Sequence, residues 1–201
     1  GWRSGTSKWP SYFEDSLPAT ADIGIGSPTG VCFGYGTKFP AKYQKALYVM
    51  DWSYGRILAV HLMPDGASYF GSKETFVKGK PLNVSDMEIG PDGALYFTVG
   101  GRGTQSGLYR VTYQGDESTD EVSYVSEKEA DARLLRRKLE SYHGRIDSEC
   151  ITFSWPHLRS HDRWIRYAAR IAIESQPVQY WAERVIDEQR IQGSLTGLMA
   201  L

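Results

Sequence analysis

Cysteine is scarce in this sequence, two among 201 residues, and Cys32 and Cys150 lie in neither a C-x-x-C nor a C-x-x-C-H spacing. That excludes a zinc knuckle and covalent haem attachment within these residues. Two thiols so far apart read as separate buried or surface residues rather than as a bridge. An excess of either charge is lacking as well, since 23 Lys and Arg face 24 Asp and Glu. With no basic run either, the chain has no electrostatic footprint for nucleic acid or an anionic membrane. No apolar run approaches the roughly 20 residues that span a bilayer. The start, Gly1-Trp2-Arg3-Ser4, has neither a Met nor an apolar signal core, so the chain is expected to be an internal piece of a longer protein. A missing export signal then says nothing about compartment.

What is present is unevenly distributed. Of 21 Gly, 18 lie at or before Gly115, whereas four Arg precede residue 126 and ten follow it. A boundary near residue 125 is expected, with residues 1–125 and 126–201 built differently.

The first part reads as strands. Gly30 to Tyr35, Ala46 to Met50, Arg56 to Leu62 and Ala94 to Val99 are rich in β-branched and aromatic residues and are bounded by turn signals. Pro64-Asp65-Gly66 and Pro91-Asp92-Gly93 each supply a fixed φ, a self-bonding carboxylate and a residue free to take a positive φ, so each should close a hairpin. Ala46-Leu47-Tyr48-Val49 recurs as Ala94-Leu95-Tyr96-Phe97, and a shift near 50 matches a four-stranded propeller blade. The expected fold is therefore mainly β plus α, the C-terminal portion of a β-propeller with about two blades (29–78 and 84–113) followed by solenoid helices. A β-sandwich is the alternative. Two blades cannot close a ring, so open strand edges are expected.

The second part reads as helices. Ser126-Glu127-Lys128-Glu129 has the capping-box pattern, and Gly144 can end the helix that carries Leu134, Leu135, Leu139 and Tyr142. A second helix from Asp162 to Glu174 should bury Trp164, Ile165, Ala168, Ile171 and Ala172. A third opens at Pro177 with Val178, Trp181, Ala182, Val185 and Ile186 on one face, and Gln192 to Leu201 forms a fourth. The arginines of this half are explained mostly by salt bridges, with a partner-binding face as the alternative reading.

Two stretches resemble a known family. Asp86 to Phe97 with Gly100-Gly101-Arg102-Gly103 and Gly107-Leu108-Tyr109-Arg110-Val111 looks like the blade signature of glucose/sorbosone dehydrogenase-like propellers. Asp162 to Arg170, with Glu174-Ser175-Gln176-Pro177 and Trp181, resembles the HEAT-like helices that follow such propellers in large exported bacterial proteins, often ahead of a c-type cytochrome domain. The resemblance implies a periplasmic or secreted quinoprotein-like oxidation of a sugar or polyol, with pyrroloquinoline quinone and Ca²⁺ as cofactors and haem as electron acceptor. Such chemistry needs a base, cations for the cofactor's carboxylates and a divalent ion.

The residues that could serve are few. Arg102, in a Gly-rich turn, could pair a cofactor carboxylate, and Asp86 could face a propeller channel; these two are the expected cofactor contacts. Asp51 beside Trp52 offers a carboxylate next to an aromatic platform, a substrate-binding pair. None of His61, His143, His157 and His161 has the sequence surroundings of a base, so no catalytic residue and no metal ligand is assigned. Gly100 to Gly103 lacks the Lys-Ser/Thr of a phosphate loop. The competing function is a non-catalytic propeller-HEAT scaffold that binds carbohydrate or a partner protein.

Overall fold

The computed structural model describes residues 16–201, so the chain's start at Gly1-Trp2-Arg3-Ser4 lies outside the described residues. Two compact units are present. One comprises Thr20–Met63 and Phe70–Ser126; the other comprises Pro64–Tyr69 and Glu127–Leu201, together with residues 16–19.

The first unit is β. Strands β1 (Pro28–Phe33), β2 (Leu47–Asp51), β3 (Arg56–Asp65) and β4 (Ser68–Lys78) form one antiparallel sheet in sequential order; β5 (Val84–Ile89), β6 (Leu95–Gly101) and β7 (Thr104–Val111) form another. A short helix, α1 (Ala41–Gln44), precedes β2. The central strands alternate with period two, and both of their faces are covered. Tyr48, Met50, Ile57 and Ala59 point into one core, shared with Val84, Met87, Leu95, Phe97 and Val99 of the second sheet. Val49, Leu58 and Val60 point the other way, against Ala21 and Ile23. Complete burial of a side chain such as Ile57 or Leu95 contributes about 1.5–3 kcal/mol, and this double cover explains why β2 and β3 read as near-continuous apolar runs.

The expected propeller and solenoid are not what forms. The two sheets, of four and three strands, stay open, and with about 29% helix and 28% strand the chain is a small α+β fold. The 48-residue echo marks a real equivalence of a different kind: β2 and β6 are each a central strand, flanked by hairpin partners on both sides. Any meander of short hairpins satisfies that spacing, and ring closure leaves no trace in it. Among the described residues no sheet closes, so there is no ring channel for Asp86 to face.

The second unit is helical: α2 (Ala130–Glu140), α3 (Cys150–Ser154), α4 (Arg163–Glu174), α5 (Ala182–Ile186) and α6 (Ile191–Leu198). Its helices do not stack as repeats. They bury one large cluster of Leu139, Trp155, Leu158, Ile165, Ala168, Ala169, Ile173, Trp181, Val185 and Ala200, which also takes in Ala67 from the β3–β4 turn, and a smaller one of Tyr142, Cys150 and Ala172. The expected capping box is absent, because Glu129 itself takes the N-cap with φ 57° and its carboxylate accepts the Gly66 amide at 2.9 Å. The segment after Pro177 is a 3₁₀ turn over Val178–Tyr180 followed by α5, which leaves Val178 and Ile186 exposed instead of on a buried face. Leu134 is likewise exposed, and Trp164 is only half-buried.

The turn at Gly66 shows why the sequence needs glycine there. Its φ is 55°, and a Cβ would lie 2.2 Å from Asp162 Oδ2. Asp162 caps α4 by accepting the amides of Trp164 and Ile165 through Oδ1, while Oδ2 accepts the Ala67 amide at 2.6 Å. One carboxylate thus starts a helix and holds a hairpin tip.

Candidate functional site

The β2–β3 connection is built on Asp51. Its side chain is fully buried, and both oxygens are engaged: Oδ1 accepts the Ser27 amide at 2.9 Å and the Tyr54 amide at 3.4 Å, while Oδ2 accepts Arg56 Nε at 2.8 Å. Burial alone pushes the carboxyl up; the Ser27 amide, the Arg56 guanidinium and the Tyr54 amide outweigh it and leave Asp51 below the ordinary aspartate value. A carboxylate so held organises a loop and is a poor proton acceptor.

Trp52, next in sequence, is fixed from three directions. Its amide donates to the Ser27 carbonyl, its carbonyl accepts Asn83 Nδ2, and its indole N–H donates to the Gly100 carbonyl at 2.9 Å. The Arg102 guanidinium lies 5.4 Å from the centre of the Trp52 ring. Arg102 and Gly103 form a two-residue turn between Gly101 and Thr104, both with positive φ, 50° and 80°. Hairpins favour that geometry, but a non-glycine residue adopts it only at a cost. Arg102 is exposed and makes no hydrogen bond or ion pair with the described residues, so its in-plane N–H groups stay available.

The structure therefore brings Trp52 and Arg102 together, with Asp51 behind them. Asp86 stands apart. It lies exposed on β5 opposite Thr98 and accepts the amide of Met87. Tyr54, which the sequence reading passed over, is the open aromatic of this loop: it is 51% exposed, with the Arg56 guanidinium 5.1 Å from its ring centre. It borders a groove of about 370 Å³ lined also by Lys78, Lys80, Pro81 and Asn83.

A second group gives His61, set aside as a base from its sequence surroundings, a carboxylate partner that the sequence did not reveal. His61 Nε2 lies 2.8 Å from Glu74 Oε1, and Lys42 Nζ approaches the same oxygen at 2.7 Å, in a hollow of about 520 Å³. The Lys42 hydrogen bond, followed by that of His61, holds the Glu74 carboxyl below its usual value. Closure of a hairpin at Gly66 folds residue 61 back beside residues 72–74, which was the available signal. The other histidines meet no carboxylate among the described residues. His143 contacts the Ala168 carbonyl and His157 the Phe153 ring, with burial pushing the His157 pKa down. Both cysteines are free thiols, each raised by burial first. No three His, Cys, Asp or Glu side chains among the described residues converge in a metal-binding arrangement.

The chain matches no known family, no curated protein and no solved structure. Function rests on the geometry above.

Proposed function

We propose that this chain is a non-catalytic binding module that takes a carbohydrate or polyol on the β2–β3 loop. The observation that supports this most directly is the engaged state of Asp51: all its hydrogen bonds hold the loop that presents Tyr54, so the acid serves display and not proton transfer. A half-exposed aromatic gives the C–H face of a sugar ring an apolar platform. A few polar groups at the rim, here Lys78, Lys80 and Asn83, supply partners for hydroxyls. The test is a titration of the protein with a panel of neutral mono- and oligosaccharides by NMR. Saturable shifts around Tyr54 are expected, with affinity falling at least about tenfold in Tyr54→Ala while the melting curve is kept. Absence of binding by every member of the panel overturns the reading.

A second reading is favoured by one observation. Arg102 offers an unpaired guanidinium beside a fixed indole, which could pair a carboxylate of pyrroloquinoline quinone in a sugar dehydrogenase that also uses Ca²⁺. That chemistry needs a base, and Asp51 is not a candidate for it. Titration with the quinone, with and without Ca²⁺, separates the readings: binding abolished by Arg102→Ala favours the dehydrogenase, whereas sugar binding that survives Arg102→Ala and fails in Tyr54→Ala favours the module.

A further inference from the structure

We propose that the groove between the 3₁₀ turn Trp155–Arg159 and the α5–α6 connection is a binding site for a small organic carboxylate. This site lies wholly within the helical unit and does not depend on the sugar-binding reading. The groove encloses about 620 Å³, within the range of roughly 300–1,000 Å³ typical of small-molecule sites. Three guanidinium groups, of Arg159, Arg184 and Arg190, and two carboxylates, of Asp187 and Glu188, line it.

The charges are not equivalent. Glu188 is tied down: Oε2 accepts the Trp155 indole N–H at 3.0 Å and Oε1 the Arg190 amide at 3.0 Å, with the Arg190 guanidinium 3.9 Å from Oε1. Those hydrogen bonds, the Arg190 amide first and the indole second, keep it ionised by holding its pKa below the usual glutamate value. Arg159 and Arg184, by contrast, make no hydrogen bond or ion pair with the described residues. The Arg184 guanidinium carbon lies over the Trp155 ring, 4.3 Å from its centre, and that ring is itself nearly buried and anchored through Glu188. Such a contact holds the guanidinium beside the ring without using its N–H groups, which can then meet a carboxylate with two parallel hydrogen bonds. The lining carries one net positive charge. A monoanion balances it, whereas a phosphate dianion would add repulsion from Asp187 and Glu188.

The test is an NMR titration of the whole chain with sodium benzoate at constant ionic strength, read at the assigned Trp155 indole N–H, with inorganic phosphate as the competing probe. A saturable benzoate shift is expected, weakened at least about tenfold in Arg184→Gln and in Arg159→Gln. Both arginines are exposed, so the melting curves of the variants should match the parent. Glu188→Gln, which retains an acceptor for the indole, should tighten benzoate binding severalfold. No saturable shift, an affinity in both arginine variants equal to the parent's, or tighter binding of phosphate than of benzoate each overturns the proposal.

Discussion

Replacing Asp51 distinguishes a structural carboxylate from a chemical one. In Asp51→Ala the amides of Ser27 and Tyr54 and the Nε of Arg56 lose their acceptor at a fully buried position. A buried donor left unsatisfied costs about 1–3 kcal/mol. The Tyr54 contact is long at 3.4 Å, and the Arg56 side chain keeps 22% of its exposure, so both fall at the low end. The sum is about 3–4 kcal/mol, a large fraction of a typical domain's stability. Asp51→Asn preserves shape and the acceptor for Ser27 but loses the charge facing Arg56, for about 1–2 kcal/mol. The sign with pH follows from the lowered folded pKa. The carboxylate's stabilisation is full above the unfolded value near 3.8 and disappears as pH falls through the lower folded value. Urea denaturation followed by circular dichroism should therefore show a gap between parent and Asp51→Asn that is constant from pH 5 to 8 and shrinks below pH of about 4. Other acids titrate in that range, but they are common to both proteins and cancel in the difference. A cost below about 1 kcal/mol for Asp51→Ala, or a gap that ignores pH, would refute the reasoning.

Three further outcomes are expected. Arg102→Gly relieves the left-handed strain of a non-glycine residue, of order 1 kcal/mol, and gives up a cation–π contact of about 0.5–1 kcal/mol, so thermal melting should show a near-unchanged midpoint; a drop of several degrees would mean that Arg102 is a structural strut. Asp162→Ala should cost about 2–4 kcal/mol in urea denaturation, from the lost α4 cap and an unsatisfied Ala67 amide, with Asp162→Asn recovering roughly half. Asp92 accepts bonds from Arg110, the Ala94 amide and Tyr96, and is pulled down to about 2. Its contribution is present above the unfolded pKa and is lost as pH falls toward 2, so the melting curves of Asp92→Asn and parent should differ at pH 5 and converge near pH 2; divergence at low pH would contradict it.

The sequence displayed its strands more openly than their assembly. Period-two runs bounded by turn residues located β2 and β6 to within a residue or two, and fixed the start of β3, which runs three residues beyond its expected end at Leu62, because alternation and turn chemistry are local. The helical faces were legible where burial follows from one helix alone, as at Ile165, Ala168 and Val185, and misleading at Leu134 and Ile186, where no neighbour arrives to cover the side chain. At the candidate site the pairing of Trp52 with Arg102 spans 50 positions. Either residue looks like an ordinary turn residue until a second hairpin is placed beside the first. The meaning of Asp51 changed for the same reason. After an apolar strand it reads as a carboxylate at a cleft, and only the return of Ser27 and the neighbouring Arg56 make it the fastener of a loop.

The two Pro-Asp-Gly turns carry this furthest. They share residue types and backbone freedom, and each closes a hairpin, yet their contacts diverge. Asp92 turns inward on its own sheet, with its carboxylate clamped by Arg110 and Tyr96 from the neighbouring strands. At the other turn the anchoring carboxylates come from elsewhere, Glu129 to the Gly66 amide and Asp162 to the Ala67 amide. One turn is therefore held by a residue of its own Pro-Asp-Gly motif, and the other by residues 63 and 95 positions away, outside that motif. A repeat can be read from the first kind of evidence only. Exchanging the acids tests this: a second acid-to-amide substitution, at Asp65, which has no such clamp, should leave stability within about 0.5 kcal/mol, while the same change at Asp162 is costly. Equal costs at the two positions would mean that the motif, and not its partners, sets the strength of these turns.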